Sequence, residues 1–193
     1  MKKDKINIAI FASGSGTNAQ AILGFFKGNE DVNFTCIYSN NEDAFVLQRA
    51  KHFGVDTLAF NREAFYKSST VLDHLQSNQT DLIILAGFIW LVPTQLVDNF
   101  TILNIHPALL PKYGGKGMYG HFVHEAVINN KEQQSGITIH YVNNEYDKGD
   151  IIFQAKCAVS PTDSPNDLAA KIHKLEHQHY PTTILKVIEK LQP

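Results

Sequence analysis

The sequence predicts an α/β fold, an open, mostly parallel twisted sheet with helices on both faces and one antiparallel strand in the C-terminal half. Three observations carry this reading. Short β-branched runs alternate with longer helical patterns through the first half of the chain. Those runs are apolar almost throughout, as strands covered on both faces require. In the second half the alternation gives way to two strand-like runs joined by a single polar turn.

Taken in order, "INIAIFA" is the first strand and residues 18–27 the first helix. "FTCIYS" precedes a helix over 43–53, "DTLAF" a helix over 62–76, and "DLIILAG" is the fourth strand. Pro93 opens a short helix, and "TILNIH" is the fifth strand. A glycine-rich loop over 112–120 leads into a helix from about 122 to 130. "SGITIHYVNNEYDKGDIIFQAKCAV" then reads as a hairpin-like pair of strands. The last helix opens with Ser164, Pro165 and Asp167, an N-cap, a proline in the first turn and an acid at N3. Pro181 lacks an amide hydrogen and predicts a bend or an interruption there.

With 193 residues, 44% of them hydrophobic, the chain can build one well-cored domain over residues 1–193. Its 17 basic and 19 acidic residues are interspersed, with a net charge of -2. That excludes a nucleic-acid footprint and a polybasic membrane patch, and favours small-molecule partners. No apolar run approaches the roughly 20 residues of a membrane helix. The basic residues 1–5 run directly into a strand too short for a signal-peptide core. Cys36 and Cys157 lie in apolar stretches without metal or CxxC spacing, so they read as buried thiols in a reducing cytoplasm.

Two groups of residues carry chemistry. The first is the turn Gly14-Ser15-Gly16-Thr17-Asn18 between strand and helix. A helix N-terminus presents unpaired amides and a positive dipole end, and glycines allow close backbone approach, so a phosphate is the natural guest. A glycine turn serving chain geometry alone stays open. Gly14-x-Gly16-x-x-Ala19 also meets the loose dinucleotide fingerprint, but the second strand ends in Ser39, Asn40 and Asn41 where that fingerprint needs a carboxylate.

The second group is "LNIHPALLP". Asn104 and His106 are two residues apart on a strand and share a face, and Pro107 forces an extended exit that aims the imidazole. A structural histidine is the alternative. A third partner is available from the turn acids Glu145, Asp147 and Asp150, which otherwise are solvated turn residues. Together an amide, an imidazole and an acid suit acyl transfer: the amide binds a developing oxyanion and the other two move protons.

"GSGTN", "AGF", "LNIHPALLPKY", "GITIHYV", the D-x-G-x-I-I turn and "EHQHYP" follow one another in an order that resembles the folate-dependent formyltransferases, over essentially the whole chain. Within that family the glycine turn and the EHxxYP segment are similar to the members acting on 5'-phosphoribosylglycinamide in purine biosynthesis. The resemblance implies a Rossmann-like formyltransferase fold in which the half over about 1–100 binds the ribonucleotide phosphate and the half over about 101–193 carries catalytic and folate-binding loops. It implies formyl transfer from 10-formyltetrahydrofolate as co-substrate, with no metal, by a cytoplasmic monomer or homodimer.

Carried over residue by residue, the resemblance makes Asn104, His106 and Asp147 the catalytic trio. Asn104 and a protonated His106 would stabilise the tetrahedral oxyanion, while Asp147 pairs with the imidazole and relays the amine proton. Gly16, Thr17 and Asn18 would grip the phosphate, and Glu176 the ribose hydroxyls or the glycinamide. Arg62 and the stretch Phe88, Ile89, Trp90, Leu91 and Val92 would border the folate with Asn104, and backbone from Val142 to Asp147 would take the pteridine edge. His140 matches the histidine of the family's HxV strand, as a core or supporting residue.

Two departures stand out. Trp90 occupies a position that is often basic in the family. "GGKGMYGHFVH" is longer than the usual segment, so neither His121 nor His124 matches a functional histidine. Relatives acting on other amines carry further domains, and a chain running from first strand to last helix favours the glycinamide substrate.

Three rivals remain. "HKLEH", His173 to His177, matches an inverted zinc-protease pattern, which stoichiometric zinc required for activity would support. A nicotinamide oxidoreductase would show tight cofactor binding. A non-catalytic nucleotide-binding module on the same fold would tolerate loss of His106.

Overall fold

The computed structural model describes residues 5–191, so the basic segment over 1–4 lies outside the described residues. One seven-stranded sheet organises the chain. Its strands are β1 (Ile6–Phe11), β2 (Val32–Ser39), β3 (Asp56–Ala59), β4 (Leu82–Leu85), β5 (Thr101–His106), β6 (Gln134–Tyr141) and β7 (Ile151–Ala158), in the order β3-β2-β1-β4-β5-β6-β7. All pairings through β5 are parallel, and β6 alone runs antiparallel to both its neighbours. This is the sheet expected from the sequence, including its one reversed strand.

The near-continuous apolar strands have the reason that their composition suggests. On β1, Ile6, Ile8 and Ile10 pack to one face against α1 (Thr17–Phe25) and α7 (Pro165–Leu191). Ala9 and Phe11 pack to the other, against α3 (Arg62–Tyr66) and α4 (Thr70–Ser77). Each large side chain buried this way contributes about 1.5–3 kcal/mol. The remaining helices are α2 (Phe45–His52), α5 (Thr94–Val97) and α6 (His121–Asn129).

Three local expectations change. The helix expected over 62–76 is two helices, because the Ser68 hydroxyl bonds the Ala64 carbonyl and Thr70, drawing the chain into a turn. α7 continues through Pro181 without interruption: Tyr180, Pro181, Thr183 and Ile184 are all buried, and tertiary packing outweighs one missing amide hydrogen bond. Cys36 is a buried thiol as expected, whereas Cys157 is only half-buried, being on the edge strand β7. The start of α7 is as read, with Asp167 N–H donating to Ser164 Oγ at 3.2 Å and Ser164 N–H to Asp167 Oδ2 at 2.9 Å. No helix among the described residues is long and apolar enough to cross a membrane.

Strand order reverses at β1, which lies between β2 and β4. Chain therefore leaves β1 and β4 in opposite directions and opens a crevice at their carboxyl ends. Across it Ser13 N–H donates to the Gly87 carbonyl at 3.1 Å, and Ile89 N–H to Ser13 Oγ at 3.1 Å.

Candidate active site

The crevice widens into a cavity of about 920 Å³ that receives residues from both halves of the chain. Gly16, Thr17 and Asn18 form one end of it. Gly16 is the N-cap of α1 at φ 73, and no side chain caps the helix. A Cβ there would lie 2.4 Å from Val46 Cγ2, so the close packing of α2 against the turn requires glycine. The first-turn amides have no intrahelical acceptor, and the turn from Gly14 to Asn18 lines the cavity.

Glu176, from α7, closes this end. It is buried, and Asn18 Nδ2–H donates to its Oε2 at 3.0 Å. Burial pushes the carboxyl up to about 7, the Asn18 hydrogen bond acting in the opposite sense. Asn18 Oδ1 is buried without a hydrogen-bond partner among the described residues. His173, one turn before Glu176 on the same helix face, also lines the cavity, whereas His177 does not. His173 and His177 stack with centroids 6.3 Å apart, and no group of three or more His, Cys, Asp or Glu among the described residues is arranged to hold a metal ion.

The middle of the cavity is the end of β5. Asn104 and His106 share one strand face, and antiparallel β6 sets His140 directly opposite Asn104. His140 Nδ1–H donates to the Tyr141 carbonyl at 2.7 Å, because a carbonyl can only accept. Its Nε2 is left to accept from Asn104 Nδ2–H at 3.1 Å, fixing the amide with its second hydrogen free. His106 is tied similarly: Nε2–H donates to the Tyr113 carbonyl at 2.7 Å, leaving Nδ1 3.5 Å from Asp147 Oδ1.

Asp147 reaches this point from the β6–β7 turn, in the left-handed region at φ 56 that aspartate tolerates better than most residues. Gly149 makes the turn possible, since a Cβ there would lie 1.7 Å from the Tyr141 carbonyl oxygen. His140 Nε2 is 3.7 Å from Asp147 Oδ1, and Gly115 N–H donates to Oδ2 at 2.9 Å. Burial works to raise the Asp147 carboxyl, but His140, the charge of His106 and the Gly115 amide outweigh it and hold it below the usual carboxylate range. His106 is lowered by burial, against the opposing effects of Asp147 and the Tyr113 carbonyl. Burial thus favours the neutral imidazole in the ligand-free protein, whereas the protonated His106 expected from the resemblance belongs to the tetrahedral intermediate.

Arg62, the stretch 88–92 and Val142 line the far end of the cavity. Here Trp90, the departure from a basic residue, supplies an aromatic face: the Arg62 guanidinium lies 4.8 Å from the Trp90 centroid and 5.8 Å from that of Tyr66. The long glycine loop also reaches the cavity through Lys116, Met118 and Tyr119.

The residues singled out as catalytic, substrate-contacting or folate-bordering line this one cavity, as does His140; of the Val142 to Asp147 stretch, only Asn143 and Asn144 do not. Sequence reasoning missed Tyr113 and Gly115, which take part through backbone atoms, and left His124, buried on α6, without a role. His173 was legible from its spacing to Glu176 but was read only as part of a metal pattern.

Comparison with known proteins identifies the family. A family model described as formyl transferase matches residues 6–184. The chain is 37% identical over 184 residues to phosphoribosylglycinamide formyltransferase of Haemophilus influenzae, covering 92% of this chain and 84% of that one. It is also 37% identical over 191 residues to the chloroplastic enzyme of that name from Arabidopsis thaliana, covering 95% of this chain and 65% of that one's length. The crystal structure of glycinamide ribonucleotide transformylase 1 from Symbiobacterium toebii superposes with a TM-score of 0.85 at 35% identity, covering 95% of this chain and 87% of that one. A whole-chain fold, a matching family model and a strand-end cluster suited to acyl transfer converge on one statement: the chain belongs to the formyl transferase family.

Proposed function

We propose that this protein transfers the formyl group of 10-formyltetrahydrofolate to the primary amine of 5'-phosphoribosylglycinamide, in the cytoplasm, as a step of purine biosynthesis. The observation that carries the reading is one cavity with a helix-terminal anion end, an aromatic far end and Asn104, His106 and Asp147 between them. The ribonucleotide phosphate accepts from the amides of the glycine turn, and Glu176 takes ribose or glycinamide groups. The folate enters along 88–92, with its pteridine edge against the backbone from Val142 to Asp147 and its anionic tail toward Arg62.

The neutral amine attacks the formyl carbon, and the carbonyl π electrons move onto oxygen. The free hydrogen of Asn104 Nδ2 is the donor for that oxyanion. His106 Nδ1, carrying a lone pair in the ligand-free protein, takes the proton released from the attacking nitrogen. Asp147 at 3.5 Å stabilises the imidazolium so formed. Collapse re-forms the carbonyl and breaks the bond to N10 of the folate. The proton on His106 passes to N10, and tetrahydrofolate leaves.

The test is spectrophotometric: loss of the formyl donor is followed with and without the ribonucleotide, and the product is identified. Donor loss only in its presence, with formylated ribonucleotide recovered, is the expected result. Donor loss without it makes the protein a hydrolase, and no loss in either case refutes the assignment of this amine.

A further inference from the structure

The catalytic pair is gripped from behind by a short stretch outside the trio. Nε2–H of His106 donates to the Tyr113 carbonyl, and two residues later Gly115 N–H donates to Asp147 Oδ2. Between them Gly114 packs closely, since a Cβ would lie 2.5 Å from Leu110 Cδ2, displacing that side chain, and 3.3 Å from Asp147 Cβ. Residues 113–115 therefore fix the imidazole through a carbonyl and the carboxylate through an amide.

Tyr113 holds an unusual conformation to do this, at φ 57, which L side chains rarely adopt. Its phenol O–H donates to Glu132 Oε1 at 2.9 Å, and Lys112 Nζ donates to the same oxygen at 2.8 Å. Glu132 is itself placed just beyond the end of α6, its N–H donating to the Val127 carbonyl at 3.2 Å. The ring of Tyr113 packs on the main core cluster.

This anchoring has a chemical consequence. A carboxylate 3.5 Å from Nδ1 attracts the single proton of a neutral imidazole to that nitrogen. A carbonyl against Nε2 opposes it, because the carbonyl can be satisfied only by Nε2–H. The geometry points to Tyr113 and Glu132 as positioning residues: Glu132 anchors the phenol so that the Tyr113 carbonyl keeps the His106 proton on Nε2 and Nδ1 free to act as base. The inference rests on the formyl-transfer reading for the role of Nδ1, but the tautomer itself is a property of the free protein.

The experiment is long-range proton–nitrogen NMR on uniformly labelled free protein, with the His106 ring assigned by its loss in His106→Asn, combined with steady-state kinetics. Wild type shows the Nε2–H tautomer near neutral pH. Tyr113→Phe and Glu132→Ala populate Nδ1–H and lower kcat about tenfold, the scale at which supporting partners of a site act. KM for both substrates stays within about twofold, as expected of a group that contacts neither. Glu132→Gln, which keeps an acceptor oxygen, restores both readouts, and Lys112→Ala leaves them unchanged. The inference is overturned if Tyr113→Phe retains tautomer and kcat, or if kcat falls only alongside a matching rise in KM and loss of thermal stability. A wild-type protein with the Nε2–H tautomer but no formyl transfer to the ribonucleotide refutes the proposed substrate and leaves the positioning role standing.

Discussion

Asp147 and Glu176 face the same cavity, both largely removed from water, and their surroundings push them in opposite directions. Burial raises both. At Asp147 two imidazoles and the Gly115 amide overcome it, and the carboxyl is held low; at Glu176 a single amide hydrogen bond does not, and the group rises to about 7. At the end of β5 the side chains are thus tied to one another and to backbone, with one Asn104 hydrogen and His106 Nδ1 left over, while the glycine-turn end has no side-chain cap on α1 and leaves Asn18 Oδ1 without a partner among the described residues. Groups that move protons need a fixed geometry before substrate arrives, and groups that bind need capacity left to give.

Four measurements break or sharpen that contrast. The largest effect is expected at the tied side chains: Asp147→Asn folds and lowers kcat by about 10² or more, the scale of an acid–base contribution. Turnover near wild type would remove Asp147 from the proton path. At the glycine-turn end, Thr17→Ala and Asn18→Ala raise KM for the ribonucleotide about tenfold, close to one lost charge-assisted hydrogen bond, with KM for the formyl donor unchanged. A rise in the donor's KM instead would show the two ends assigned backwards.

The third measurement is the pH dependence of kcat/KM. With burial lowering His106, its neutral form prevails down to a pH below the usual histidine value, and the rate falls as pH drops through that lowered pKa. In Asp147→Asn the residual activity should fall at still lower pH, because the carboxylate that raises the imidazole is gone. An unmoved acid limb would mean that another group sets it.

The smallest effect is on stability. Glu176 has a folded-state pKa above its unfolded one, so its contribution is fully present below about 4.5 and is lost as pH rises through about 7. Glu176→Gln should flatten the decline in thermal midpoint across that interval. Asp147, lowered instead, contributes above its unfolded pKa and loses that contribution toward acid pH. Equal slopes in wild type and Glu176→Gln would show that Glu176 ionises normally.

Much of the site was legible because its residues sit in short motifs with a local reason for their spacing. Asn104 and His106 share a face on any strand, and Gly16-Thr17-Asn18 precedes a helix wherever it stands. Trp90 was legible only as an oddity, and its stacking with Arg62 emerged when α3 was seen to lie beside the 88–92 stretch. Tyr113 contributes a carbonyl, which every residue possesses, so no side-chain pattern could announce it. His124 reaches the cavity from the first turn of α6, behind a loop whose length matched nothing familiar, and burial, with other histidines nearby, takes it down to about 4.

Amino-acid order alone determined the alternation of strand and helix, the single reversed strand, the anion-ready turn and the pairing of an amide with an imidazole, since each depends on residues within a few positions of one another. Only the tertiary structure decided that Glu176 meets the glycine turn, that α7 runs through Pro181, and that Asp147 lies low while Glu176 lies high. Those outcomes depend on burial and on partners far away in the chain: Asn18 meets Glu176 across 158 positions, and the Gly115 amide meets Asp147 across 32. A carboxyl's proton affinity is a property of its surroundings, and the surroundings exist only once the chain has folded.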